Sequence, residues 1–522
     1  MSSTADHTRT SSASHPPWIT EAQETQLLRE ERTLVVGQTL SLNLGSESLL
    51  VVGDLLALGF GDENSSLTCR RFFALSASSG LETKVTHAIA LYNILDAQLS
   101  ADGLTIKFAK HSSSNDISVT SIRYPIHGEE KEIVEAWTKR LLDLAYGDAR
   151  KHKRLKVLIN PFGGKGNAAN LYKKHAAPIF AAARCHVDVQ HTTHRGHATE
   201  IAEQIDINAY DAIVCCSGDG LPYEVFNGLG KRFDAQHALS KIAVAMIPCG
   251  SGNAMAWNLS GTGSVSVTAL TIVKGIHTPL DLVSITQGNT RTLSFLSQAF
   301  GIVAECDLGT EKYRWMGAHR FTFGFLVRLL HKTVWPCDLA VKVEIGSKNA
   351  IKHHYAAYTI KDPTRREVPD DEEASGQQSQ GLPPLKYGTV KDKLPEDWEI
   401  IPSETLGNFY AGNMAIVSKD TNFFPAAVPN DGLIDIVTVD GTIPRTTTLK
   451  MMDQISDGGF FGMPDVKVCK ASAYRLTPRE KEGYISVDGE RIPFEPFQVE
   501  VHQGLGTVLS KSGYIYEASG PK

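Results

Sequence analysis

Four short apolar segments in the middle of the chain restrict its fold more than any other feature. They have the length and composition of buried strands, and helical patterns such as 198–205 separate them. The segments are residues 157–159, 187–189, 212–216 and 242–247. Short strands that alternate with helices predict a mostly parallel, doubly wound α/β sheet.

Three of these segments are followed directly by a glycine-rich loop, at 160–167, 217–220 and 248–253. In an open α/β sheet the loops at the carboxyl ends of the strands share one crevice. Glycine lets the backbone approach an anion closely, and successive N–H groups at a helix start can hold phosphate oxygens. No loop has the P-loop pattern or the dinucleotide-binding pattern G-x-G-x-x-G. We therefore predict a phosphate site of another design.

Asp219 lies between two glycines at the end of the third apolar segment. A carboxylate held there with little steric cover could orient a hydroxyl group and accept its proton, as phosphoryl transfer requires. The alternative is an ordinary Asp-Gly turn without a catalytic role. Taken alone, this tripeptide favours the alternative.

The remaining sequence predicts two further folded regions, because 522 residues exceed what one hydrophobic core usually organises. Near the N-terminus, β-prone runs precede a helical pattern from Glu129 to about Tyr146; this arrangement resembles a pleckstrin-homology (PH-like) module, and a β cap without a ligand is an equal alternative. The runs are residues 33–37, 49–53, 71–75 and 104–108. From about Leu280 the pattern is β-rich nearly to the C-terminus.

The predicted organisation therefore has five parts. They are a disordered segment 1–28, a β-rich PH-like domain 29–150, an α/β catalytic domain 151–280, and a β-rich, sandwich-like lipid-binding domain 281–515 that a disordered acidic insertion 362–398 interrupts. The insertion is rich in Pro, Gln, Asp, Glu and Lys, which disfavours a buried core. It is interpreted either as a tolerated loop or as a regulatory site.

Composition excludes several classes of partner and site. A net charge of −6 gives no general attraction to nucleic acid or anionic lipid. The eight cysteines are scattered, which favours free thiols in a reducing compartment over zinc or disulfides. We find no signal-peptide pattern and no run of about 18 uncharged apolar residues. The expectation is a protein that is soluble or peripheral to a membrane.

The motifs taken in order resemble the diacylglycerol-kinase-like lipid kinases, and specifically the sphingosine (long-chain-base) kinases. The segments that carry this resemblance are 160–166, 217–221 with Glu224, 227–229, 250–254, 306–314, 320–324, 430–432 and 488–490. The resemblance covers about 154–335 closely and 405–505 more loosely. One departure is Phe162, which stands where some relatives carry an arginine that contacts phosphate.

The resemblance implies a role for each matching residue. Asp219 corresponds to the catalytic base, Asp307 to the carboxylate that recognises the amine of the lipid, and Arg314 and Arg320 to ligands of the ATP phosphates. The other implied ATP-binding residues are Asn160, Pro161, Phe162, Gly163, Gly164, Thr192, Thr193, His194, Arg195, Gly196, Glu224, Gly250, Ser251, Gly252, Asp488, Gly489 and Glu490. The implied substrate-binding residues are Ser217, Gly218, Asp219, Gly220, Ile302, Asp307 and Phe321.

Several of these residues have simpler interpretations. The two arginines could form surface salt bridges, Asp307 could cap a helix, and the apolar residues near Phe321 could be core rather than an acyl channel. Three histidines, His191, His194 and His197, are spaced by three residues, yet no acidic or cysteine residue lies between them. Exposed loop histidines are therefore favoured over a metal site held by the protein.

The expected function is transfer of the ATP γ-phosphoryl group to the primary hydroxyl of a sphingoid base, with Mg²⁺ arriving on ATP. The expected location is the cytoplasm, at the cytosolic face of membranes. The acidic Asp307 favours a cationic lipid, since neutral diacylglycerol has no amine to pair with it. Other lipid kinases of the superfamily, acting on diacylglycerol or ceramide, and a non-catalytic lipid-binding scaffold are the alternatives.

Overall fold

The computed structural model describes residues 32–36, 40–53, 85–112, 116–126, 131–164, 166–310, 323–328, 333–360 and 380–522. They form two compact units. The first comprises the described residues up to Phe108 together with Ser121–Ala145, and the second comprises Ala109–Thr120 together with Tyr146–Lys522. No helix in the described ranges has the length and apolar character needed to cross a membrane.

The N-terminal region contains two small antiparallel sheets and a helix, α1 (Lys131–Tyr146). The strands are β1 Thr33–Val36, β2 Leu40–Leu44, β3 Ser48–Gly53 and β4 Val85–Ala90 in one sheet, and β5 Ile94–Ser100, β6 Gly103–His111 and β7 Ile117–Tyr124 in the other. Side chains in β2 alternate between buried and half-buried, as expected for strands with one covered face. The predicted strand 71–75 and the predicted disordered segment 1–28 lie outside the described residues.

The centre of the second unit is a parallel sheet with strand order β9-β8-β10-β11. Its strands are β8 Arg154–Ile159, β9 His186–His191, β10 Ala212–Ser217 and β11 Ala243–Pro248. The connecting helices are α2 Ala168–Leu171, α3 Ala177–Ala182, α4 His197–Gln204, α5 Gly220–Gly230, α6 Ala235–Lys241, α7 Ala254–Ser260 and α8 Val265–Lys274, with a π-helical turn at Tyr172–Ala176. All four predicted strands are present and parallel, but only β8, β10 and β11 are buried. The prediction of a buried strand was wrong for residues 187–189, because β9 lies at the edge of the sheet and its side chains are mostly exposed.

The chain reverses its direction of travel across this sheet between β8 and β10. From β8 it passes to β9 on one side and then crosses to β10 on the other. Such a reversal opens a crevice at the carboxyl ends of the two central strands, where ligands of open α/β sheets bind. The register places Ile159 beside Cys216 and Ser217 beside Pro248, so three strands end at one level.

The β-rich remainder continues the same sheet. Strand β24 (Phe497–Ser510) pairs in parallel with β11 and antiparallel with β12 and β21, so the sheet is not interrupted at the predicted boundary of residue 280. The other strands are β12 Ile276–Gln287, β13 Thr290–Ser294, β14 Ser297–Gly301, β15 Cys337–Ile345, β16 Glu399–Ile401, β17 Leu406–Gly412, β18 Ile416–Ser418, β19 Thr421–Asn422, β20 Ile434–Asp440, β21 Val466–Pro478, β22 Ile485–Val487 and β23 Glu490–Ile492. Its helices are α9 Ile302–Gly309, α10 Lys348–Thr359 and α11 Arg445–Asp453, and two 3₁₀ turns lie at Leu91–Asn93 and Gly459–Gly462.

A core rich in aromatic side chains fills the C-terminal sheets. Phe409 and Tyr474 lie 5.0 Å apart between ring centroids, and Tyr474 meets Phe497 edge to face. All three are fully buried. Aromatic pairs of this kind stabilise a core beyond their apolar area alone. Phe300 and Ile302 belong to this same buried cluster.

Residues 380–398 correct part of a prediction, because they are ordered rather than a disordered insertion. The carboxylate of Glu500 accepts the backbone N–H groups of Lys386 and Tyr387 at 2.9 and 3.0 Å. Trp398 is buried and meets the Tyr387 ring edge to face at 5.5 Å. Side chains of distant strands therefore hold a polar segment that could not form a core by itself. The other part of the predicted insertion, 362–379, lies outside the described residues.

Candidate active site

Four loops meet at the carboxyl edge of the parallel sheet. The backbone N–H of Asn160 donates to the carbonyl of Cys216 at 3.2 Å, and that of Cys249 donates to Ser217 at 3.0 Å. On the far side the N–H of Thr192 donates to Ile159 at 2.9 Å. The three glycine-rich loops and the loop after β9 thus leave the sheet side by side.

The glycine-rich loops touch through their backbones. A Cβ atom on Gly164 would lie 2.3 Å from the carbonyl oxygen of Cys249, and one on Gly250 would lie 2.4 Å from the Cα of Gly218. Gly164 also has a φ of 58°, in the left-handed region. Only glycine permits this packing, which leaves several backbone N–H groups close together at one edge.

The first loop is shaped by Asn160. Its side-chain oxygen accepts the N–H of Phe162 at 2.9 Å, which tightens the turn after β8. Phe162 projects outward with 78% of its surface exposed. Lys165 lies outside the described residues.

Asp219 is held at the start of α5 and reaches across to the start of α7. Its Oδ2 accepts the N–H of Ala254 and its Oδ1 accepts the N–H of Met255, both at 3.0 Å. Burial raises the pKa of this carboxyl and the backbone hydrogen bonds lower it, with a net rise. A Cβ on Gly252 would lie 3.1 Å from Oδ2, so glycine there keeps one side of the carboxylate accessible. Each oxygen retains a second lone pair for a hydroxyl donor.

Glu224 supports the loop after β9. Its two oxygens accept the backbone N–H groups of Gly196 at 3.0 Å and Ala198 at 3.1 Å, at the N-terminus of α4. A carboxylate at a helix N-terminus also interacts favourably with the helix dipole. Both oxygens of Glu224 are therefore used to position the loop.

The same loop contains a cluster of polar side chains. The Thr193 hydroxyl lies 3.0 Å from Nδ1 of His194 and 3.1 Å from Nδ1 of His197, and the two imidazole rings stack with centroids 4.9 Å apart. The Thr193 backbone N–H donates to Nδ1 of His197 at 3.0 Å. Nε2 of His194 lies 3.0 Å from Glu200. In the part of the chain that the structure describes, no group of three or more His, Cys, Asp or Glu side chains is arranged to hold a metal ion.

The β22–β23 turn brings two acidic residues to the crevice in different roles. Asp488 is buried and accepts the Ser294 hydroxyl and the N–H groups of residues 295–297, which fixes the turn in place. Burial raises the pKa of Asp488 to about 6, against the lowering effect of these hydrogen bonds. Glu490 instead pairs with Arg195 of the loop after β9, and its Oε1 lies 3.3 Å from where a Cβ of Gly220 would be. Glu490 is thus the acid that faces the loops.

Asp307 lies on α9, the helix that follows β14. Its Oδ2 accepts the hydroxyl of Ser486 at 2.7 Å. The buried phenol of Tyr410 lies within electrostatic range of Asp307, Asp488 and Asp219, and burial together with these three carboxylates raises its pKa. Asp307 and Asp219 therefore belong to one region. Arg314, Arg320 and Phe321 lie outside the described residues.

Three neighbours of the site were missed in the sequence. Ser486 and Tyr410 come from late strands without any recognised motif, and Asn253 closes its own loop by accepting the Gly250 N–H at 2.8 Å through Oδ1. Asn253 also takes a left-handed φ of 56°. The Gly-x-x-Asn spacing of Gly250 and Asn253 is a turn signal that could have identified it.

Family models match three parts of the chain. Residues 154–285 match the diacylglycerol kinase catalytic domain, 32–147 match a domain of unknown function, DUF7493, and 407–510 match the YegS C-terminal NAD kinase beta sandwich-like domain. The last two ranges cover most of the N-terminal β region and of the late strands. The matched domains support an α/β catalytic fold joined to a β-sandwich-like domain.

Whole-chain similarity extends to several curated proteins. Sphingoid long chain base kinase 5 of Saccharomyces cerevisiae is 36% identical in an alignment of 433 residues. The alignment covers 74% of this chain and 62% of that protein. Sphingoid long chain base kinase 4 of Schizosaccharomyces pombe is 37% identical over 377 residues, 71% of this chain and 78% of that protein. Sphingosine kinase 1 of Arabidopsis thaliana is 31% identical over 387 residues, 69% and 75% of the two chains.

Proposed function

The chain belongs to the family of sphingoid long-chain base kinases, and on that premise we propose that it transfers the γ-phosphoryl group of ATP to the primary hydroxyl of a sphingoid base. The observation that carries this proposal is the Asp219 carboxylate, which binds the N–H groups of Ala254 and Met255 beside glycine-rich loops that pack together and can hold phosphates. Sphingosine, sphinganine and phytosphingosine are the proposed acceptors.

The proposed nucleotide site lies along the carboxyl edge of β8–β11. The N–H groups of the loops at 160–166 and 250–252 face the phosphates, since packed glycines leave no side chain in the way. Arg195 and Glu490 border this edge from opposite sides. Arg314 and Arg320 are proposed to supply further positive charge. Asp488 and Glu224 act through the backbone that they fix.

Asp219 is proposed as the catalytic base. The hydroxyl oxygen of the lipid attacks the γ-phosphorus, the bond to the leaving oxygen of ADP breaks, and the hydroxyl proton passes to the Asp219 carboxylate. Hydrogen bonds from Ala254 and Met255 fix the orientation of this carboxylate. Its raised pKa makes it a stronger base than an exposed aspartate.

Asp307 is proposed to recognise the cationic amine of the base. An ammonium group that enters an apolar cleft needs a paired anion, because burying an isolated charge is costly. The Ser486 hydroxyl donates to Oδ2 of Asp307 at 2.7 Å and thereby orients the carboxylate. Ile302 on the same helix and Phe300 before it belong to a buried apolar cluster, and the hydrocarbon chain is proposed to bind next to this cluster.

Mg²⁺ is proposed to arrive with ATP, where it would supply positive charge against the negative charge that develops during transfer. The residues present fit such an ion, because the Glu490 carboxylate borders Gly220 at the edge of the loops and hard cations prefer oxygen ligands. Glu490 would hold the ion directly or through water.

Peripheral attachment at the cytosolic face of a membrane is proposed from the substrate, which is a lipid. Phe323 and Leu326, in the short helical segment 323–328, are each more than two-fifths exposed and could contact such a surface.

The N-terminal β domain is proposed to have a PH-like arrangement, supported by antiparallel sheets followed by a single helix.

A substrate panel tests the proposal. Purified protein with Mg-ATP is offered sphinganine, ceramide and diacylglycerol in matched detergent micelles, and the lipid phosphate formed is measured. We expect phosphate on sphinganine far in excess of the other two lipids. Phosphorylation of diacylglycerol alone would overturn the substrate assignment, and absence of product with every lipid would favour a non-catalytic scaffold.

A further inference from the structure

We propose that His197 is a positioning residue of the nucleotide site. Its unprotonated Nδ1 holds the loop at residues 193–196, and protonation of this ring weakens nucleotide binding. The inference rests on the proposed nucleotide site and adds a proton-sensitive support to it.

The hydrogen bond from Thr193 fixes the state of the His197 ring. The Thr193 backbone N–H points at Nδ1 of His197 at 3.0 Å. A backbone N–H can only donate, so Nδ1 must present its lone pair and the ring must be neutral, with its proton on Nε2. An imidazolium has a proton on both nitrogens and could not accept this bond.

His194 differs because its partner can adapt. Glu200 accepts from Nε2 of His194 at 3.0 Å, which places a proton on that nitrogen. Nδ1 of His194 then faces the Thr193 hydroxyl at 3.0 Å, and a hydroxyl can donate to a neutral ring or accept from a charged one. Protonation of His194 therefore preserves its contact. Protonation of His197 removes the bond from the Thr193 N–H and leaves the Thr193 hydroxyl, 3.1 Å away, as the partner of Nδ1.

The charges around His197 act in both directions. His194 stacks on it with an interplanar angle of 12°, so two charged rings would repel each other. Glu200 on α4 favours a charged ring, as does Glu224 of α5, which binds the N–H of Ala198.

The loop that His197 supports carries several contacts to the site. Arg195 pairs with Glu490, and the N–H of Gly196 binds Glu224. Loss of the hydrogen bond from the Thr193 N–H to His197 releases the segment that positions the Arg195 side chain and the Gly196 N–H. We expect the dissociation constant for ATP to rise about fivefold when His197 is charged, the equivalent of one neutral hydrogen bond.

The test uses His197→Asn, because an asparagine side-chain oxygen can accept the Thr193 N–H and does not titrate in this range. The matched control is His237→Asn on helix α6, away from the crevice. Binding of a fluorescent ATP analogue with Mg²⁺ is measured from pH 5.5 to 8 for the wild type and both variants. Hydrogen exchange of the peptide covering 192–198 is compared between the proteins at each pH.

The proposal predicts that the wild type and His237→Asn lose affinity and protection of this peptide on acidification, while His197→Asn keeps both. At each pH the nucleotide has the same protonation state with all three proteins. Its own titration therefore does not contribute to the difference in affinity between them. Identical pH profiles for the wild type and His197→Asn would refute the role of His197 and leave the proposed function standing. No nucleotide binding by any of the three at any pH would refute the proposed function itself.

Discussion

Asp219 Oδ1 accepts the backbone N–H of Met255 at 3.0 Å, so the carboxylate at the end of one central strand is held by the helix that follows the neighbouring strand. This bond, with its counterpart to Ala254, ties two glycine-rich loops into one structure. The proposed base is thereby oriented by backbone groups alone. Such groups cannot change rotamer, which keeps the carboxylate in one geometry before substrate arrives.

The pH dependence of turnover follows from the surroundings of Asp219. Burial raises the pKa of its carboxyl, so the base becomes protonated at a higher pH than an exposed aspartate would. We expect kcat with sphinganine to fall on the acidic side as this group gains its proton. The measurement is kcat at saturating ATP from about pH 4 to 8. A kcat that stays constant down to the pH of a free aspartate would contradict the assignment.

Packing of the loops is tested at Gly164. An alanine there would place its Cβ 2.3 Å from the Cys249 carbonyl and would also adopt a φ of 58°. We expect Gly164→Ala to lower ATP affinity at least tenfold, because the first and third loops must separate. The matched control is Gly147→Ala, which has a φ of 51° but no atom within 4 Å of the new Cβ, so it measures the backbone strain alone. If both variants lowered ATP affinity equally, backbone strain would account for the loss. That result would contradict contact between the loops as its cause.

Recognition of the amine is tested at Asp307. Asp307→Asn keeps the size of the side chain and can still accept the Ser486 hydroxyl, but it removes the charge that would pair with an ammonium. We expect the KM for sphinganine to rise at least tenfold and the KM for ATP to change little, since a buried charge pair loses about 2 kcal/mol or more when one partner is neutralised. A comparable rise in both KM values would indicate a structural role instead.

The stability of the second unit is predicted to depend on Lys274. Burial lowers the pKa of its ammonium to about 6, although Nζ lies 3.6 Å from the centre of the Tyr146 ring. From about pH 6 upward the folded state binds fewer protons than the unfolded state, in which Lys274 stays charged. The free energy of unfolding therefore rises with pH, by up to about 1.4 kcal/mol per pH unit. Urea unfolding at pH 7 and 9 should show this slope, and Lys274→Met should reduce it. An unchanged slope in the variant would exclude Lys274 as its source.

The sequence predicted the elements that depend on local pattern. The four parallel strands and the loops at their ends could be read from apolar runs and glycines, although β9 is an exposed edge strand rather than a buried one. The convergence of the loops followed from the general rule for parallel sheets. The sequence therefore predicted correctly that Asp219 and Gly250 lie close together, although it gives no distances.

The sequence did not predict the roles of residues whose partners are distant along the chain. Glu224 and Asp488 matched nucleotide-site positions by resemblance, yet their oxygens bind the backbone of residues 196–198 and 295–297. Residues 380–398 have a disordered composition and are ordered by Glu500, which lies more than a hundred residues away in sequence. In each case a carboxylate meets backbone N–H groups that only the folded chain brings near.

The central claim is that Asp219 activates the hydroxyl of a sphingoid base. It is tested most directly by transfer of labelled phosphate from ATP to sphinganine by Asp219→Asn under single-turnover conditions, with thermal unfolding and ATP binding measured on the same sample. We predict a folded variant that binds ATP and transfers phosphate about 10²- to 10⁴-fold more slowly than the wild type, the usual contribution of a positioned base. A folded variant that transfers phosphate at nearly the wild-type rate would contradict the claim.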